Sequence, residues 1–191
     1  MDITMKGFHG TDKALVGSIL KEGLVPSIGD EEWLGDGGYF FADGISNNPL
    51  LQAKQWAIVN SWDNLRKRNK YPFYAVLCGT IVVSEENFLD LTHPDGVEIL
   101  EYIQNQCIKK LLAKRDMQRL RYVDGFLINF ARGEKIVDVQ VVKANCYIQL
   151  TKEERIYKIS RRIPNCTICT VYDPSKNITN MEQVEHGRIQ L

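Results

Sequence analysis

Two periods of apolar residues divide this chain of 191 residues. Leu15, Val16, Ile19 and Leu20 fall on one face at helical spacing, with Lys21 and Glu22 outside. Thr11 or Asp12 is placed to cap this helix, which starts near Lys13. Gly23 and Pro26 stop it. Pro49 opens a second predicted helix, with Leu50, Ala53, Trp56, Ala57 and Ile58 as its apolar face. It is expected to fade in the basic run Arg66 to Lys70. The strongest helical stripe runs from Val97 to about Leu120, through Leu100, Ile103, Cys107 and Leu111, with Ile108 and Leu112 beside it.

The remaining apolar text reads as strands. Gly38 to Ala42 and Tyr71 to Val83 are rich in β-branched and aromatic residues, and Phe88 to Leu91 is a short edge. Asp124-Gly125 predicts a turn and Phe126 to Phe130 a strand after it. Ile136–Val142, Cys146–Leu150, Arg155–Ser160 and Cys166–Tyr172 complete the predicted strands, and Asp173-Pro174 breaks the last one. Residues 27–38 hold four glycines and several acids and read as a loop. Strands outnumber helices, with no repeat or linker, so the expectation is one α+β domain over residues 1–191.

Composition removes several classes. The hydrophobic fraction is 44% and the charged fraction 25%, ordinary for a globular protein, and the formal net charge is zero. Overall charge therefore gives no pull toward nucleic acid or an anionic membrane. No secretory h-region and no apolar run of membrane-spanning length is present, so a cytoplasmic chain without membrane association is expected. Five cysteines, an odd number, fit reduced thiols. Cys166 and Cys169 have CxxC spacing, but no second pair or HxxxH supplies the other ligands of a zinc site, so no metal is expected.

Two short motifs carry the chemistry. His9-Gly10-Thr11 reads as a turn before the first helix, and that helix ends in Ile19-Leu20…Gly23-Leu24. A glycine-loaded segment follows, Gly35-Asp-Gly37-Gly-Tyr39-Phe40-Phe41-Ala42-Asp43, with Ser46 beyond it. In this order and spacing the stretch resembles the catalytic domain of the diphtheria-toxin-like ADP-ribosyltransferases, the class that includes poly(ADP-ribose) polymerases. It also resembles small bacterial members of that superfamily. The close match covers about a fifth of the chain, and one extra phenylalanine separates Tyr39 from Ala42-Asp43.

The resemblance implies a split β-sheet core with two or three flanking helices. It also implies nicotinamide adenine dinucleotide (NAD) as a substrate. His9 would bond the adenosine ribose, Gly10 would hold the carboxamide by its backbone, and Thr11 would add a hydroxyl. Tyr39 would stack on the cationic nicotinamide ring, an interaction of roughly 0.5–2 kcal/mol. Phe41 would line the same site, and Ser46 would lie near the carboxamide. The implied activity is transfer of one ADP-ribose to a macromolecular acceptor, as in a bacterial toxin or defence effector. If the chain is a toxin, the class implies a neutralising antitoxin.

The family's third element is missing. A glutamate normally starts the last core strand and stabilises the developing ribosyl cation. Aligning Val171-Tyr172-Asp173 puts Ile168 there, and aligning Asn165 puts Cys166 there. Asn165 is the candidate polar substitute. This departure argues against polymer synthesis and keeps open a non-catalytic module that binds NAD or a partner. A third alternative, an NAD-dependent RNA 2′-phosphotransferase, is supported by Arg161 and Arg162 ahead of the last predicted strand. Glu185 superficially resembles a second family pattern, but it follows the Asp-Pro break with little room for another strand, and a solvated charge is the expectation. The basic segments Arg66–Lys70 and Lys109–Arg121 are candidate RNA or DNA contacts.

Overall fold

The computed structural model describes residues 1–29, 32–114 and 124–190. Seven strands form one mixed sheet in the order β6-β7-β8-β2-β1-β5-β9. They are β1 (Asp2–Asp12), β2 (Gly38–Ala42), β5 (Phe73–Ser84), β6 (Phe88–Asp90), β7 (Val141–Cys146), β8 (Cys166–Val171) and β9 (Ile178–Arg188). A separate hairpin pairs β3 (Trp62–Asp63) with β4 (Arg68–Asn69). The helices are α1 (Val16–Glu22), α2 (Pro49–Asn60), α3 (Pro94–Lys114), α4 (Asp124–Gly133), α5 (Lys152–Ile156) and α6 (Pro174–Asn177). The chain is thus α+β. No described helix is long and apolar enough to cross a membrane.

The sheet is nearly two sheets. Eleven residue pairs join β1 to β5, from Asp2↔Ser84 to Asp12↔Tyr74. Five pairs join β2 to β8. Only Gly7↔Ala42 and Phe8↔Phe41 join β1 to β2. Beyond Phe8 the two strands part, and residues 9–12 of β1 face residues 38–40 of β2 without ladder pairing.

Strand alternation then sets the layers. Val16 and Ile19 of α1 pack on Ala75 and Leu77 of β5. Tyr74 and Val76, pointing the other way, meet Ala53 and Ala57 of α2 in the main core. Ile103 and Cys107 of α3 and Leu127, Ile128 and Ala131 of α4 belong to that same core. Gly10 lets α2 lie against β1, since a Cβ there would come within 1.9 Å of the Ala53 carbonyl oxygen.

Several local expectations are corrected. His9-Gly10-Thr11 is not a turn but the last part of β1. The second helix ends at Asn60, and the basic run lies in the hairpin. Residues 126–130 are helix, not strand: Phe126 and Phe130 stack at 6.2 Å across one turn. Arg155 lies in helix α5, whose start is fixed by a reciprocal Thr151–Glu154 capping box. The strand expected over residues 136–142 is displaced to Val141–Cys146, and residues 147–150 form no strand. The Asp173-Pro174 break is only a short helix, after which β9 adds eleven residues to the sheet edge. The three expected helices appear as α1, α2 and α3, and among the described residues α4, α5 and α6 join them. Of the expected third helix, residues 115–120 lie outside the described residues.

Candidate functional site

The parting of β1 and β2 opens a cavity of about 410 Å³. That is within the size range of small-molecule sites. His9 and Gly10 line it from β1, and Gly38, Tyr39, Phe40 and Phe41 from β2. The loop before β2 supplies Leu24, Glu32 and Trp33, α2 supplies Trp56 and Asn60, and Ile148 and Ile168 reach it from the β7–β8 side.

His9 is half-buried and its ring bridges the split. Its Nδ1 lies 2.9 Å from the Tyr39 carbonyl oxygen, a group that the parted strands leave without a β1 partner. Burial lowers the His9 pKa below its ordinary value, opposed by the bond to Tyr39. The ring is therefore neutral at pH 7. Facing a carbonyl, Nδ1 must carry the proton and donate, which leaves Nε2 as an acceptor.

Tyr39 is fixed by its hydroxyl. It donates to the Gly35 carbonyl at 2.7 Å and accepts from the Leu34 N–H at 3.0 Å. Burial is the main reason its phenol is pushed up to about 12. The same loop is held from outside: Tyr172 Oη donates to the Leu34 carbonyl at 2.6 Å, and Asn129 of α4 accepts from the Asp36 N–H at 2.9 Å. Gly35 has φ +88°, a conformation that favours glycine, and Asn129 Oδ1 would sit 2.4 Å from an added Cβ. Residues 32–37 are thus a braced wall of the cavity.

Of the residues expected at the site, His9, Gly10, Tyr39 and Phe41 come together, while Thr11, Ser46 and Asn165 do not line the cavity. Thr11 is buried. Ser46 Oγ accepts from the Asn48 N–H at 3.3 Å, beside the start of α2. Asn165 is a clamp: Nδ2 donates to the Ile148 carbonyl and Oδ1 accepts from the Ile148 N–H, both at 2.9 Å. Replacing Asn165 with Ala should remove both bonds and cost about 1–3 kcal/mol, read as a lower Tm. Ligand affinity should stay near that of the parent, and a stable Asn165→Ala protein with lost affinity would contradict the clamp.

Other expected residues are also accounted for. Ile168, one of the two positions that alignment offers for the family's glutamate, does line the cavity, and Cys166, the other, does not. Glu185 is not simply solvated: it sits on β9, 2.7 Å from Lys54 Nζ, and accepts from Tyr74 Oη at 2.9 Å. The Lys54 bond, then the Tyr74 bond, holds its carboxyl below the usual range against some desolvation. Arg161 and Arg162 are exposed and do not line the cavity. Cys166 and Cys169 are three apart on a strand, so their thiols enter opposite cores and cannot share a metal.

Sequence reasoning missed Glu32, Trp33, Trp56, Asn60 and Ile148 as lining residues. Glu32 is the only carboxylate among the described lining residues. It accepts a hydrogen bond from Ser27 Oγ. Its neighbours Asp30 and Glu31 lie outside the described residues.

No protein-family model matches the chain. Over 92 residues it is 29% identical to an uncharacterized protein of Methanocaldococcus jannaschii. The aligned part is 47% of this chain and 38% of that relative, so the chain spans well under half of the relative's length.

Proposed function

We propose that the chain binds NAD in the β1–β2 cavity and transfers a single ADP-ribose to a macromolecular acceptor. The observation that carries this reading is the split itself. Two motifs 30 residues apart, around His9 and Tyr39, meet across it in one cavity. The split core is also what the resemblance implies.

In this reading His9 Nε2 accepts from a ribose hydroxyl. The Tyr39 ring stacks on nicotinamide. The bond between ribose C1′ and the nicotinamide nitrogen breaks, and its electron pair leaves with neutral nicotinamide. The acceptor atom bonds to C1′ and releases its proton to solvent. In this reading Glu32, the only carboxylate among the described lining residues, replaces the missing strand glutamate in stabilising positive charge on the ribose.

A second reading is a binding module without turnover. It is favoured by Ile168 at one of the positions that alignment offers for the family's glutamate and by the Ser27 bond to Glu32. Labelled NAD incubated with RNA, DNA and protein separates the two. The transferase gives label on one acceptor class, with matching nicotinamide release. Glu32→Gln should lower turnover by about 100-fold or more with NAD affinity little changed. NAD binding with neither label nor release would establish the module, and no NAD binding would overturn both.

A further inference from the structure

The far end of α2 carries cations that the transferase reading leaves unused. Residues 61–70 and 147–162 hold nine Lys and Arg against three Asp and Glu, in a chain of zero net charge. The fold packs these segments side by side. Arg155 Nη1 donates to the Val59 carbonyl at 2.8 Å, and its guanidinium lies 5.3 Å from the Trp56 ring centre. Lys152 Nζ stands 6.0 Å from the Trp62 ring centre, and the Arg161 guanidinium 5.3 Å from that of Tyr147. Arg66, Lys67, Arg68, Lys70, Lys152, Lys158, Arg161 and Arg162 are all exposed.

Within this face the hairpin forms a second cavity, of about 290 Å³. Arg66, Arg68 and Lys70 line it with Asp63 and Asn69. Asp63 Oδ1 accepts from the Leu65 and Arg66 N–H groups at 2.9 and 3.0 Å, and its Oδ2 lies 3.8 Å from Arg66 Nε. Three cations against one carboxylate leave this cavity with a positive excess and room for a phosphate group. In the other basic segment, Lys110 on α3 is paired with Glu134 at 2.9 Å, and residues 115–121 lie outside the described residues. Exposed Trp62 and Tyr157 add aromatic surface among the cations. Cations that follow a backbone, interleaved with rings on which bases stack, suit a single strand better than a duplex. The face also shares a wall with the large cavity. Lys70 Nζ donates to the Asn60 carbonyl at 3.1 Å, Arg155 covers Trp56, and both Asn60 and Trp56 line that cavity.

We propose that this face binds a single-stranded polynucleotide, its phosphates on the Arg66–Arg68 hairpin and α5 and a base on Trp62, so that the strand runs past the cavity. Binding stands on these residues alone, whereas service as the ADP-ribose acceptor rests on the transferase reading.

Fluorescence anisotropy with labelled RNA and DNA single strands of about 12 nucleotides tests the binding across a salt series. Both should bind, more weakly as salt rises. The double variant Arg66→Ala/Arg68→Ala should lose about tenfold in affinity, its salt slope shallower by roughly 0.7 per cation removed. Trp62→Ala should lose about 5- to 100-fold with the slope largely kept. Thermal melts and NAD titration of the same variants, expected unchanged, show that fold and cavity survive. Overturning results are no binding at low salt, equal affinity for duplex, binding indifferent to all three substitutions, or a preference for anionic vesicles. Strand binding by a protein that does not bind NAD would keep the face and remove its acceptor role.

Discussion

Replacing Tyr39 with Ala should abolish ADP-ribose transfer and weaken NAD binding by about 3- to 30-fold, the equivalent of a lost cation–aromatic stack. The ring is not the whole of the side chain's work. Its hydroxyl ties Leu34 and Gly35 of the braced wall, so Tyr39→Phe leaves an N–H and a carbonyl without their partner. That should cost about 1–3 kcal/mol of stability while retaining the stack. Isothermal titration with NAD and a thermal melt on each variant separate the two roles. Burial keeps the phenol protonated far above neutral pH, so its bond to Gly35 should persist across the assay range. Undiminished NAD affinity in Tyr39→Ala would remove the stacking role.

The central strands β2, β5 and β8 were legible, whereas β1, whose end lines the cavity with β2, was not, because its glycine-containing end reads as a turn. Residues 73–83 are almost continuously apolar, and residues 166–171 are apolar except for the buried Thr167 and Thr170, as suits strands covered on both faces. The edge strand β9 was hidden for the opposite reason. Its apolar residues, Ile178, Met181 and Val184, recur every third position, and two register shifts against β5 interrupt the alternation. Phe126–Phe130 failed differently. A five-residue stretch with four apolar positions fits a strand or one face of a helix, and here tertiary packing of Leu127, Ile128 and Ala131 on α3 and the sheet decides for helix.

At the site, local motifs were informative and long-range contributions were not. His9 and Tyr39 stood out through their glycine-flanked phrases. Trp56 and Asn60 on one side and Ile148 on the other come from separate parts of the chain and share only a destination. Glu32 was masked by the acidic loop around it, where a carboxylate reads as solvation. Asn165 shows the converse: alignment selects it as the polar substitute for the family glutamate, yet its amide is spent on the Ile148 backbone.

Gly10 has two explanations that a single methyl group tests. The resemblance implies a glycine so that a carboxamide can approach the backbone, whereas the packing requires one so that α2 can. An added Cβ would meet the Ala53 carbonyl oxygen at 1.9 Å and the Ala57 Cβ at 3.1 Å. A helix backbone cannot turn aside as a side-chain tip can, so Gly10→Ala must push α2 off β1. A cost of about 3 kcal/mol, the upper part of the overpacking range, is expected. In a chain of this size that lowers Tm by roughly 6–12 °C. Because α2 also carries Trp56 and Asn60, NAD affinity should fall with it. Gly17→Ala on α1 is the matched control: nothing lies within 4 Å of its Cβ, and alanine favours a helix, so its Tm should hold or rise. A Gly10→Ala protein that melts with the parent but no longer binds NAD would mean that the glycine serves the ligand alone. Loss of both together would show that the close packing of α2 on β1 is what holds the cavity in shape.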